Sequence, residues 1–122
     1  MAETKYTKGP WDWETPLGDD CYSIVQAGLK SYEWQFIAHV HVGIPAEGMM
    51  PRQEALANAR LIAAAPELYE AANVALSRLQ LTGGKDGEYL GNHEKKMIEV
   101  LSKALAKARG ETHPSGGDRH GE

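Results

Sequence analysis

The chain has 122 residues, 17 acidic and 13 basic side chains, and a formal charge of −4. That length predicts one domain with a modest core, and the acidic balance argues against an extended nucleic-acid-binding face. The single cysteine, Cys21, excludes an internal disulfide; with no signal-peptide pattern and no apolar run of membrane-spanning length, the expectation is a cytoplasmic protein.

Residues 1–10 are polar and lead through Gly9-Pro10 into Trp11-Asp12-Trp13-Glu14, whose alternation predicts a half-buried strand. Thr15 to Asp20, with Pro16 and Gly18, reads as a turn, and Cys21 to Gln26 as a second strand. Ala27 to Glu33 contains Gly28 and closes a hairpin with Trp34 to Val42, the longest predicted strand. Strict alternation puts Trp34, Phe36, Ala38, Val40 and Val42 on one face and Gln35, Ile37, His39 and His41 on the other. One face is expected on helices, the other exposed or at an oligomer contact.

Gly43 to Pro51 is a connection with Met49 and Met50 packed beneath it, and a helix starts near Pro51. Leu56, Ala59 and Ala63 form one stripe of this helix; Asn58, Leu61, Ile62 and Ala65 form an adjacent one. Pro66 removes a backbone donor and clashes with the carbonyl of Ile62, which predicts a break or kink near Ala65. Glu67 to Gln80 keeps helical spacing, and Thr82 to Gly91 is a glycine-rich loop. Asn92 is the predicted N-cap of a last helix from His93 to about Arg109, ended by Gly110. Residues 111–122 are polar and predicted to be disordered. The expectation is therefore an α+β fold over residues 1–110: a small antiparallel sheet in the N-terminal half, followed by two or three packed helices.

Motifs that carry chemistry are scarce. His39 and His41 share a strand face, but no third ligand stands at a telling spacing, so neither a metal nor a cofactor is expected. Gly83-Gly84-Lys85-Asp86-Gly87 lacks the Ser or Thr after lysine that a phosphate loop needs, and a helical pattern rather than a strand precedes it. No nucleophile elbow, paired carboxylates or metalloprotease motif appears, which points away from an enzyme. Asn58 is an amide among apolar neighbours: it either pins nearby backbone or reads the edge of a ligand. Arg60 either pairs with Glu67 on the helix surface or grips a phosphate or carboxylate. Trp34 and Trp11 have rings that can stack on a base. Asn58, Arg60, Trp34 and Trp11 are thus the ligand-binding candidates.

Thr7, Gly9, Pro10 and Trp11, together with the run from Ala57 to Ala71 (Ala-Asn-Ala-Arg-Leu-Ile-Ala-Ala-Ala-Pro-Glu-Leu-Tyr-Glu-Ala), resemble the signature of small proteins encoded by tailed bacteriophages and prophages. The resemblance covers roughly residues 4–72. It implies a genetic context, with action inside the host bacterial cell. Three functions fit that context, ranked in this order: sequestering a cyclic nucleotide signal of host defence, inhibiting a host defence protein by binding it, and accessory work in DNA metabolism. The first predicts a pocket where an aromatic ring, an amide and an arginine converge, at the contact of a homodimer. The second predicts an acidic or apolar surface patch. The third needs a basic face, which the charge disfavours.

Overall fold

A computed structural model describes residues 5–84 and 88–111; Lys85 to Gly87 of the glycine-rich stretch and residues 112–122 of the predicted tail lie outside the described residues. The architecture is α+β, with three antiparallel strands followed by three helices. The chain divides into two units, Met1–Glu67 and Leu68–Glu122.

In the first unit, β1 (Trp11–Glu14), β2 (Cys21–Gln26) and β3 (Phe36–His41) form a sheet in the order β1-β2-β3, and α1 (Arg52–Ala63) follows. Cross-strand partners share a face, so Trp13, Ile24 and Ala38 look one way, with Tyr22 and Val40 beside them. These residues meet α1 through Ala55 and Ala59, both fully buried. Small side chains at those positions let the helix backbone approach the sheet. Trp13 packs edge-on against Tyr22 with ring centroids 5.3 Å apart. The start of α1 is tied to the β1–β2 turn by Arg52, which donates to the Asp19 carbonyl and, at 3.0 Å, to the Asp20 carboxylate. Hydrogen bonds to Tyr22 first and Asp20 second raise the guanidinium pKa. The pair is exposed, so its contribution to stability is small.

The third strand departs from expectation in three respects, one being that it ends at His41, not Val42. It begins at Phe36, not Trp34, because Ser31–Glu33 forms a 3-10 turn and Trp34 caps it, its indole N–H donating to the Leu29 carbonyl at 3.1 Å. It also carries a bulge: Ala38 faces Ile24, yet Phe36, not Ile37, faces Val25. The extra residue, Ile37, packs with Ala38 against the core. Phe36 is thereby turned onto the opposite face, 49% exposed, with its ring centroid 5.1 Å from that of His39. The strict alternation expected for this strand is reversed at Phe36 and Ile37.

Pro66 separates two helices. α1 ends at Ala63, Ala64 stands between, and α2 runs from Ala65 to Thr82, two residues beyond the expected end. Proline as the second residue of a helix loses no hydrogen bond, because the first-turn N–H groups have no intrahelical acceptor. Its buried ring lies against Gly9, where an added Cβ would sit 2.8 Å from the Pro66 Cβ.

The second unit contains the rest of α2 and α3 (Asn92–Ala108). Asn92, the expected N-cap, is the first helical residue; Gly91 holds the cap position. Arg109 ties the two helices together, donating from Nε to the Tyr69 hydroxyl and from Nη2 to the Asn73 side-chain carbonyl, each at 2.9 Å. Past it, Gly110 takes a left-handed φ of 76°, and Glu111 and Gly110 donate to the carbonyls of Ala106 and Lys107. That pairing is a Schellman motif, which only a residue free of Cβ strain adopts readily. No described helix is long and apolar enough to cross a membrane.

Candidate functional site: a groove on the free edge of the sheet

β2 is the middle strand, so among the described residues one edge of β3 has no strand partner. The backbone N–H of Val42 donates to Asp20, fixing the phase of the β2–β3 ladder. Because antiparallel ladders alternate, Val40 turns its backbone groups to β2 while His39 turns its own outward. The free edge ends where Val42 forms a parallel bridge with Met50, and the Gly43 N–H donates to the Met50 carbonyl. Between that edge and α1 lies an open groove of about 540 Å³.

Its walls are largely apolar. The connection supplies Met49 and Met50; α1 supplies Leu61 and Ile62; His39 and His41 line the strand side. Asn58 also lines it and donates from Nδ2 to the Met50 sulfur at 2.9 Å. That is a weak acceptor for an amide, and the Asn58 carbonyl oxygen has no hydrogen bond among the described residues. Leu61 is 63% exposed at the mouth of the groove.

Only one of the four candidate residues lies here. Arg60 is exposed and, two positions after Asn58, about 200° further round the helix. It makes no salt bridge among the described residues, with Glu67 or any other group. Trp34 belongs to the β2–β3 connection. Trp11 sits on β1, the opposite edge strand, where its indole donates to the Thr7 carbonyl at 3.0 Å and its ring packs edge-on against Tyr6. The structure does not bring amide, arginine and aromatic ring together. The residues missed from sequence were Met49, Met50, Leu61 and Ile62. Their signal was present in the methionine pair and in the apolar residues flanking Asn58.

The face of the sheet away from α1 holds a second cluster. Ser23 is fully buried, and its hydroxyl is hydrogen-bonded to Nδ1 of His39 at 2.9 Å, with the Cys21 sulfur 3.7 Å from the same nitrogen. The Ser23 hydroxyl orients the His39 ring. His41 lies beside it, ring centroids 6.2 Å apart. Among the described residues no three His, Cys, Asp or Glu side chains are placed to hold a metal. Ser23→Ala is expected to cost about 0.5–1.5 kcal/mol in chemical denaturation. It should also release the His39 ring to sample both tautomers, visible in long-range 15N–1H correlation spectra.

A protein-family model described as Salmonella phage P22 protein Y8K6 matches residues 1–112. No curated protein and no solved structure gives a significant match.

Proposed function

The chain belongs to that family of phage proteins, and from this premise we propose that it acts by binding a host protein rather than by catalysis. The observation that carries the reading is the unpaired edge of β3 opening into an apolar groove. An extended peptide segment can add to such an edge as a further strand, with main-chain hydrogen bonds giving affinity and side-chain pockets giving selectivity. His39 offers the backbone groups, Met49, Leu61 and Ile62 the apolar contacts, and Asn58 a side-chain amide. Inhibition of a host defence complex is the activity that fits this mode and the phage context.

Sequestration of a cyclic nucleotide is the weaker reading. It calls for cations around the phosphates, and neither lysine nor arginine lines the groove. Arg60, the residue that would have served, is on another side of α1.

The test is capture from host lysate by the wild-type protein and by Leu61→Asp, with thermal stability measured against a panel of cyclic nucleotides. Leu61 is exposed enough that the substitution leaves the fold intact. A retained protein that is lost with Leu61→Asp supports the reading. Saturating nucleotide, at about a hundred times its dissociation constant, would add roughly 2.7 kcal/mol to stability. Such a shift, with no protein retained through the groove, would overturn it.

A further inference from the structure

Among the described residues, one side of α2 in the second unit is exposed. On α2 the half-buried positions are Tyr69, Ala72, Asn73, Leu76 and Leu79, at helical spacing. The other side carries Ala71, Val74, Arg78 and Leu81, all exposed. Val74 is 60% and Leu81 78% exposed. Glu70 adjoins Val74 one turn before it, and Arg78 follows one turn after; both are exposed. Neither makes a salt bridge among the described residues.

Glu70 and Arg78 are eight residues apart, about 12 Å along the axis, so they cannot pair within one helix. Their placement on either side of Val74 is self-complementary under a two-fold rotation. When two α2 helices lie antiparallel and cross at Val74, each Glu70 stands opposite the Arg78 of the other copy, and the two valines meet on the axis. Parallel pairing sets Glu70 against Glu70 and Arg78 against Arg78. Ala71, small and next to the crossing point, lets the helices approach closely.

We propose that a second copy of this chain docks on this face, forming an antiparallel α2–α2 homodimer held by Val74 at its centre and two symmetric Glu70–Arg78 ion pairs. The inference is independent of the groove on β3.

Analytical ultracentrifugation of the full chain tests it. The wild type sediments as a dimer at high micromolar concentration. Glu70→Arg and Arg78→Glu, which put like charges opposite each other, each weaken self-association at least about tenfold. Both sites are exposed, so circular dichroism should find helix content unchanged. An equimolar mixture of the two single variants forms a one-to-one heterodimer, because all facing charges are then opposite, and the double variant Glu70→Arg/Arg78→Glu regains the homodimer. A monomeric wild type overturns the proposal. So does a dimer that both single variants leave intact, or single variants that weaken the dimer yet fail to combine with each other.

Discussion

Ile24→Ala is expected to remove about 2–5 kcal/mol of stability, read as a lower midpoint in urea denaturation. Ile24 has no exposed surface, stands on the middle strand, and belongs to the cluster of Tyr22, Val40, Ala55 and Ala59. Strands flank it on both sides and α1 closes the third, so little can collapse into the vacated volume. A domain of this size has only about 5–15 kcal/mol to lose. The matched control is Leu61→Ala: at 63% exposure it should change stability by no more than about 0.5 kcal/mol. An Ile24→Ala protein as stable as that control would mean that the core lies elsewhere.

The second large effect is expected at Gly9. A methyl group there would sit 2.8 Å from Cβ and 3.1 Å from Cγ of Pro66, a stiff ring that is itself buried. Gly9→Ala should therefore cost about 1–3 kcal/mol through overpacking. The cause is testable by a double-mutant cycle. In a Pro66→Gly background both contacting atoms are gone, and the same glycine substitution should cost distinctly less. Equal costs in both backgrounds would show that the ring contact is not the source. Gly9 and Pro66, one from each half of the recognisable sequence signature, are far apart in the chain but lie against each other.

Much of the fold was legible because local patterns agree with it. Trp11 to Glu14 and Cys21 to Gln26 have the expected bounds, since polar turn residues bracket both. Pro51 marked the start of α1, where it holds the cap position, and Pro66 marked the break near Ala65, where it stands in the first turn of α2 and loses no hydrogen bond. The third strand was misread where the argument assumed regular pairing: a bulge is a property of two strands together, and the sequence of one does not announce it. The candidate site divides in the same way. Asn58 betrayed itself as a polar side chain on an apolar stripe, and it does line the groove. Arg60 was chosen for its chemistry and its nearness in sequence, but two steps along a helix carry a side chain to a different side. The groove itself arises from tertiary structure, with the Met49–Met50 segment folding back beside β3, which no single segment encodes.

The bulge at Ile37 has a consequence for how this gene can change length. Loss of one codon anywhere in a regularly paired strand inverts every side chain on one side of the deletion, sending apolar groups to solvent and polar ones inward. Loss of codon 37 does not. It returns the ladder to regular pairing, with Phe36 still opposite Val25 and Ala38 still opposite Ile24, and each remaining side chain keeps its face. Within β3, then, this is the position where a lineage can shorten the strand by one residue without scrambling its two surfaces, giving up one apolar contact and retaining both the core and the histidine face.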